Sequence, residues 1–313
     1  MPDSTPVVSV VMPVHDTPAG FMREAIESVR GQSESRWELV IVLDAASEAC
    51  AALARAAAQD DPDRVRVVGV AGGAPQGLSG ARNLGIASAR ASMLAFLDAD
   101  DVLEPDALHV RLALLEANPG VAMMYGQTRY WFSWTGREQD RDLDWEPEPG
   151  VAEGIHEPPT LAPLFLTGRA SVPCMCSILV RREVIDAVGG FDSAFRTLYE
   201  DQVFHARVAL RHPILASARI LDRYRQHPQS MTAKAAAQKV ASRERFLAWL
   251  EHELVATGIQ SRSITAAIAT ERWKMRHPML TGAMRRSRKA VRRFRYLLTG
   301  RRMVPEPGSR PLT

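Results

Sequence analysis

The chain has 313 residues, of which 46% are hydrophobic and 24% charged, a composition that excludes an intrinsically disordered protein. It has no run of 18 apolar residues, so the sequence predicts no membrane-spanning helix. The net charge is only +3, but nine Lys or Arg residues and no acid lie between 285 and 302. The N-terminal MPDSTP lacks a basic start and an apolar segment, so we expect no signal peptide.

Strand and helix patterns alternate along the first 118 residues. Predicted strands, rich in apolar and β-branched residues, cover 7–14, 37–44, 65–70 and 93–97. Helical spacing of apolar residues or helix-forming composition predicts helices at 21–32, 49–60, 78–90 and 105–118. Near-continuous apolar strands joined by helices predict a parallel sheet that is covered on both faces.

The alternation breaks at residues 126–170, for which we predict an inserted loop or hairpin region. Trp131 and Trp134 lie in it and suit either stacking on a sugar ring or packing in the core. The patterns then predict a strand and a short helix ending at Gly189-Gly190. They also predict a helix at 200–212, a strand at 213–224 and C-terminal helices at 233–257 and 262–275.

The three cysteines, Cys50, Cys174 and Cys176, predict no disulfide framework, because their number is odd and the chain can form its own core. Cys174 and Cys176 have half the spacing of a metal site, but no second pair accompanies them. Buried small side chains are the better interpretation. This cysteine content suits a reducing cytoplasm.

Three carboxylates, Asp98, Asp100 and Asp101, directly follow the fourth predicted strand. In open parallel sheets, ligands bind beyond the carboxyl ends of the strands, where Pro13 to Asp16 and Asp44 also fall. Crowded carboxylates repel one another, and Mg2+ or Mn2+ bound to Asp98 and Asp100 would remove that repulsion. For Asp101 we expect a different role, as the cap of the following helix.

Eight segments resemble the motifs of glycosyltransferase family 2 in their order and spacing, over about residues 7–231. They are VSVVMPVHD, AIESVRGQ, WELVIVLD, GLSGARNLGIASA, FLDADD, VGGFD, YEDQVF and YRQHPQS. The resemblance implies an α/β protein of the GT-A fold, with a mostly parallel central sheet and helices on both faces. It also implies an inverting transfer of a sugar from a nucleotide-diphosphate sugar to an acceptor hydroxyl, in cell-envelope or polysaccharide synthesis.

The resemblance assigns roles to individual residues. Asp201 corresponds to the general base, and its place at a helix start leads us to expect that the helix dipole lowers its pKa. Asp100 and His227 would bind Mg2+ or Mn2+. The donor-binding residues would be Pro13, His15, Asp16, Asp44, Arg82 and Asp98. A UDP-sugar is the expected donor, a glycan or lipid-linked molecule the expected acceptor, and we expect no nucleic-acid partner.

One departure concerns the segment after the second strand. The family usually has Asp-Asp-Gly-Ser there, whereas this chain has Leu43-Asp44-Ala45-Ala46. One nucleoside-side carboxylate and a flexible glycine are lost, which leaves the identity of the nucleotide open.

The expected organisation has three parts. A GT-A domain covers 1–231, with a nucleotide-binding half at 7–125 and an acceptor-side half at 126–231. A helical extension covers 232–280, and a basic amphipathic tail covers 281–313. Residues 284–298 of this tail combine seven basic residues with apolar residues at helical spacing. This pattern is typical of helices on anionic membrane surfaces, so we expect a cytoplasmic protein at the inner face of the membrane. A solvated helix packed on its own domain is the alternative.

Two other functions fit parts of the sequence. FLDADDV satisfies the first motif of haloacid-dehalogenase-like phosphatases, in which the first Asp is the nucleophile. However, three strand–helix units precede this strand, and no later Lys and paired-Asp motifs are apparent. A non-catalytic GT-A module that binds a nucleotide sugar is the second alternative, and the changes at Leu43 and Ala45 favour it.

Overall fold

The computed structural model describes residues 5–70, 74–144, 151–196, 198–230 and 239–281. The strands are β1 (Val8–Val14), β2 (Trp37–Asp44), β3 (Val65–Val70), β4 (Met93–Phe96), β5 (Val102–Leu103), β6 (Met123–Trp131), β7 (Leu143–Asp144), β8 (Gly154–His156), β9 (Ile178–Arg181) and β10 (Ile214–Arg225). The helices are α1 (Ala19–Arg30), α2 (Glu48–Asp60), α3 (Gly77–Ser88), α4 (Ala107–Glu116), α5 (Leu161–Thr167), α6 (Arg182–Val188), α7 (Glu200–Arg211), α8 (Lys239–Thr257) and α9 (Arg262–Arg276).

These strands form one sheet in the order β3-β2-β1-β4-β9-β6-β10-β5, with β7 beside β6 and β8 beside β10. β1 pairs in parallel with β2 and β4, and β2 pairs in parallel with β3. β9 runs antiparallel to both β4 and β6, so β4 and β6 point in the same direction. The α/β fold class with a mostly parallel central sheet is thereby confirmed.

Alternate residues of β1 belong to different cores, which explains why the whole strand is apolar. Val10 and Met12 pack with the core under α1, α2 and α4, whereas Val11 packs with the core under α3 and α5 to α9. Helix α1 buries a stripe at i, i+3, i+4 and i+7, formed by Met22, Ala25, Ile26 and Val29. Helices α8 and α9 contribute to the core that contains Val11 through Phe246, Leu247, Leu250, Ile264, Ala267 and Ile268.

Two predicted boundaries differ from the structure. Residues 126–131 are part of β6 rather than of an inserted loop, because they pair with β10 on one side and with β7 on the other. Helix α4 begins at Ala107 rather than at Pro105, since the short strand β5 occupies Val102–Leu103 and pairs with β10. Local patterns cannot reveal these long-range pairings.

None of the helices in the described ranges is both long and apolar enough to cross a membrane. The predicted basic helix at 284–298 lies outside the described residues.

Candidate active site

The strands that carry the predicted site residues end at one edge of the sheet. β1, β2 and β4 run parallel, so Pro13, Asp44 and Asp98 lie at or just beyond the same ends. The Asp101 N–H donates to the Asp98 carbonyl at 3.0 Å, which folds the aspartates into a tight turn. The turn places Asp98 and Asp100 at the edge where open α/β sheets bind ligands.

Arg82 joins two carboxylates at this edge. Its side chain comes from α3 and is 1% exposed. Nη2 donates to Asp98 Oδ1 at 2.9 Å, and Nη1 donates to Glu200 Oε1 at 3.2 Å. Burial acts to lower the pKa of Arg82, but the negative charges of Asp98 and Glu200 outweigh it, so the pKa is raised. Arg82 is therefore a cation that connects the turn after β4 with the start of α7.

Asp201 lies beside this ion pair in the first turn of α7 and is half-buried. Desolvation, with the negative charge of Glu200 adding to it, raises the pKa of Asp201 to about 7, although Arg82 opposes the shift. The expectation that the helix dipole lowers this pKa is therefore wrong, because desolvation and neighbouring charge outweigh the dipole. A carboxyl group that titrates near neutral pH is well suited to general-base catalysis.

Asp100 contacts His227, the last residue of the Tyr-Arg-Gln-His motif. The His227 Nε2–H donates to Asp100 Oδ2 at 2.9 Å. His227 is 4% exposed, and its ring makes a T-shaped contact with the ring of Phe21, with 5.2 Å between the ring centroids. Its Nδ1 is buried and has no hydrogen-bond partner in the part of the chain that the structure describes.

Arg225 fixes the aspartate turn from the end of β10. Its backbone N–H donates to Asp101 Oδ1 at 2.9 Å, and its Nε donates to the Asp100 carbonyl at 2.8 Å. The guanidinium lies 4.1 Å from the ring centroids of both Phe21 and Trp131. Trp131 is half-buried and belongs to neither hydrophobic core of the described residues, and its ring packs against the Arg225 guanidinium.

The expectation that Asp101 caps the following helix is wrong. The N-cap position of α4 is Asp106, and β5 separates Asp101 from that helix. Asp101 is 1% exposed, and its carboxylate accepts the backbone N–H of Arg225. Desolvation, followed by the charges of Asp100 and Asp98, raises the pKa of Asp101 well above its usual value. Asp101 is therefore an interior group that supports the turn.

The predicted nucleoside-side residues follow β1 and β2. Pro13 is buried in β1, whereas His15 and Asp16 are exposed. His15 Nδ1–H donates to the Asp44 carbonyl at 2.6 Å. The Asp44 carboxylate accepts the backbone N–H groups of Gln76 at 2.6 Å and Gly77 at 2.9 Å. Asp44 thus stabilises the N-terminal end of α3, the helix that carries Arg82.

Ala45, which stands where the family usually has glycine, has a backbone conformation that favours glycine. Its φ is +54°, in the left-handed region that glycine adopts without steric cost. The family's usual glycine is therefore replaced here by a residue that bears strain of about 1–2 kcal/mol.

The donor atoms at Asp100 and His227 fit a cation that is shared with a ligand. Within the described ranges, no group of three or more His, Cys, Asp or Glu side chains could by itself hold a metal ion. Mg2+ in nucleotide sites is usually bound by one or two protein groups, together with phosphate oxygens and water. Asp100 supplies one such carboxylate, and Nε2 of His227, 2.9 Å from Asp100 Oδ2, is the imidazole nitrogen on the same side.

Glu200, Arg225 and Asp101 are site residues whose roles the sequence did not reveal. Glu200 and Arg225 were visible only as neighbours of Asp201 and His227 in the YEDQ and YRQH motifs. Their contacts join residues more than 100 positions apart, Arg82 with Glu200 and Arg225 with Asp100. A local pattern could therefore not have assigned them.

The fold and this site define an α/β protein of the GT-A class. S. aureus TarS in complex with UDP-GlcNAc matches with a TM-score of 0.55 at 14% identity, over 72% of this chain and 60% of that one. Mannosyltransferase PcManGT from Pyrobaculum calidifontis, in complex with GDP-Man and Mn2+, matches with a TM-score of 0.53 at 16% identity. This match covers 90% of this chain and 80% of that one. At these identities the likeness shows the fold alone.

Residues 9–189, more than half of the chain, match the model of Glycosyl transferase family 2, and the chain belongs to this family. The O-antigen biosynthesis protein RfbC of Myxococcus xanthus is 36% identical over 121 residues, which are 38% of this chain and 9% of that protein. The succinoglycan biosynthesis protein ExoO of Rhizobium meliloti (strain 1021) is 39% identical over 106 residues, which are 34% of this chain and 29% of that protein. The chain thus spans well under two thirds of these curated relatives.

Proposed function

We propose that this protein is an inverting glycosyltransferase that moves a sugar from a nucleotide-diphosphate sugar to an acceptor hydroxyl. The observation that carries the proposal is the position of Asp201. Its carboxyl group has a pKa of about 7 and lies beside the Arg82–Asp98 pair, at the edge that also holds Asp100 and His227. A base and a polar donor site therefore share one edge of the sheet.

Asp201 acts as the general base in this proposal. A hydroxyl group is a poor nucleophile at neutral pH, so a carboxylate must accept its proton as the new bond forms. The acceptor oxygen attacks the anomeric carbon from the face opposite the leaving nucleoside diphosphate. The bond to the diphosphate oxygen breaks in the same step, which inverts the configuration.

The nucleotide-binding half, 7–125, holds the donor, with Pro13, His15, Asp16 and Asp44 on the nucleoside side and Arg82 and Asp98 near the diphosphate or ribose. Two solved proteins of similar fold are in complex with UDP-GlcNAc and with GDP-Man and Mn2+, and we propose a UDP-sugar as the donor. Asp100 and His227 would hold Mg2+ or Mn2+, which supplies positive charge for the departing diphosphate.

The acceptor-side half, 126–231, would hold a glycan or lipid-linked acceptor of a cell-envelope or polysaccharide pathway. We further propose that the protein works in the cytoplasm at the inner face of the membrane. The end of the described chain exposes Trp273, Met279 and Leu280, with 86% of Met279 accessible to solvent. The basic segment 284–298 follows directly, and apolar residues next to basic ones favour an anionic lipid surface.

The test is turnover of a panel of UDP- and GDP-sugars by the full chain with Mn2+, measured as release of the nucleoside diphosphate with and without candidate acceptors. The Asp201→Asn variant should lose release, whereas Asp186→Asn, an exposed carboxylate on α6, should keep it. Donor binding without any release would instead favour the non-catalytic module. Hydrolysis of a simple phosphate monoester would favour the phosphatase.

A further inference from the structure

A cavity of about 70 Å3 with an open mouth lies next to the proposed active site. It is lined by residues 125–130 of β6 and by the segments 151–153, 170–174 and 216–218. None of the residues assigned above to the donor, the metal ion or the base lines it.

A bulge in β10 creates the space. Ala216 pairs with Tyr125, but the next paired residues are Ile220 and Gln127, so β10 has two more residues than β6 in this interval. A Cβ atom at Gly126 would come within 2.7 Å of the Arg219 carbonyl. Only glycine fits there, and bulges of this kind often lie next to active sites.

The strand register places the cavity at the edge of the sheet that holds the proposed active site. Met124 and Ala95 are both paired with Leu179, so residues 126–130 lie level with the turn after β4. The cavity wall also contacts the helix of the proposed base: the His205 Nε2–H of α7 donates to the Pro173 carbonyl at 3.0 Å. His205 lies one helical turn after Asp201.

The chemistry of the lining is mostly apolar. Its walls include the side chains of Val151, Ala170, Val172 and Pro173 and the ring of Tyr125, which packs on Phe165. The polar lining residues are Ser171, whose Oγ is buried without a hydrogen-bond partner in the described ranges, and Gln127, Thr128, Tyr130, Glu153, Cys174 and Ser217. Glu153 and Ser217 hydrogen-bond to each other. A sugar ring carries several hydroxyl groups that each need a partner when buried, so this lining suits a group with few polar atoms.

We propose that this cavity binds an apolar aglycone, an aryl or alkyl group attached to the acceptor whose hydroxyl Asp201 deprotonates. The proposal rests on the proposed function, because the acceptor must enter between α7 and the aspartate turn. Ser171 offers one hydrogen bond to a linking oxygen, and the apolar walls exclude water from the group that follows it.

The test compares methyl, phenyl and octyl β-D-glucopyranoside as probes, each titrated into the full chain by NMR below the critical micelle concentration of the octyl glucoside. We expect the phenyl or octyl glucoside to bind at least about tenfold more tightly than the methyl glucoside. A preference for phenyl identifies an aromatic aglycone and a preference for octyl an aliphatic one. Equal binding of all three overturns the proposal.

Two variants fill the cavity, Val172→Trp inside it and Ala152→Trp at its exposed mouth. Both variants should abolish the preference for the phenyl or octyl glucoside over the methyl glucoside. Ala56→Trp, on the exposed face of α2, is the control and should retain this preference. Thermal melting checks that each variant is folded. If preference survives in both filled variants, the cavity is not the site. Turnover of a nucleotide sugar without any aglycone preference overturns this inference alone. Preference without turnover in the donor panel overturns the proposed function and leaves the cavity as a binding site for apolar groups.

Discussion

His227 Nε2 lies 2.9 Å from Asp100 Oδ2, so the residue two positions after β10 contacts the carboxylate just beyond β4. The contact joins the predicted acceptor-side half to the nucleotide-binding half at the point where a diphosphate would lie. The contact also gives Asp100 a hydrogen-bond partner that is distant in the sequence and comes close only in the folded chain.

The Asp100→Asn variant should weaken binding of UDP or GDP in the presence of Mn2+ by about tenfold or more, because one charged oxygen ligand is lost. Isothermal titration with Mn2+ and after addition of EDTA measures the effect. Asp106→Asn, an exposed carboxylate at the N-cap of α4, is the control and should bind like the parent. Affinity that is unchanged by both EDTA and Asp100→Asn would remove the metal role.

The rate of transfer should rise with pH, because Asp201 must be ionised to accept a proton. Its pKa of about 7 in the free protein predicts that kcat/KM increases through about pH 7 and levels off above it. Asp201→Asn should lower kcat by about 10²–10⁴-fold and leave donor affinity nearly unchanged. A profile that is flat from pH 5.5 to 8.5 would mean that another group is the base.

The same substitution should stabilise the fold at alkaline pH. The pKa of Asp201 is raised in the folded protein, so its contribution to stability is fully present below its usual value near 3.8 and is lost as the pH rises through about 7. Asp201→Asn removes this loss. The free energy of unfolding of the variant, relative to that of the parent, should therefore increase by about 1–3 kcal/mol between pH 5 and pH 8. Urea unfolding at both pH values measures it, with Asp186→Asn as the control that shows no such growth.

The sequence predicted the fold of the first half because β1, β2 and β4 are buried on both faces, and burial of this kind leaves an unbroken apolar pattern. It could not place β9 antiparallel between β4 and β6, because that position depends on pairing with residues about 55 to 85 positions away. The pKa of Asp201 was predicted in the wrong direction for a similar reason. The helix start is visible in the sequence, but the burial is not.

The basic segment 284–298 should bind anionic membranes. Each basic residue near an anionic surface contributes about 1 kcal/mol, and the attraction falls within a Debye length. The full chain should therefore sediment with phosphatidylserine-containing vesicles at low salt and be released at high salt. A shortened chain ending at Thr281 should stay in solution. If both chains ignore these vesicles, a membrane role for the segment is wrong.

Tyr199 should position the base from the residue before the Glu200-Asp201 pair. Its φ is +68°, an unusual value for a residue with a side chain, which costs about 1–2 kcal/mol. Its ring stacks on Phe246 of α8, with centroids 5.3 Å apart and an angle of 21° between the rings. Packing against the C-terminal helices thus holds a strained backbone directly at the start of α7.

Tyr199→Gly should relieve the strain but remove the ring, so we expect kcat to fall by about tenfold while donor affinity and thermal stability change little. Tyr199→Phe keeps both the stack and the conformation and should behave like the parent. Steady-state kinetics and donor titrations on the two variants separate positioning from binding. A general loss of structure would reduce donor affinity as well as kcat. An unchanged kcat in Tyr199→Gly would contradict a positioning role.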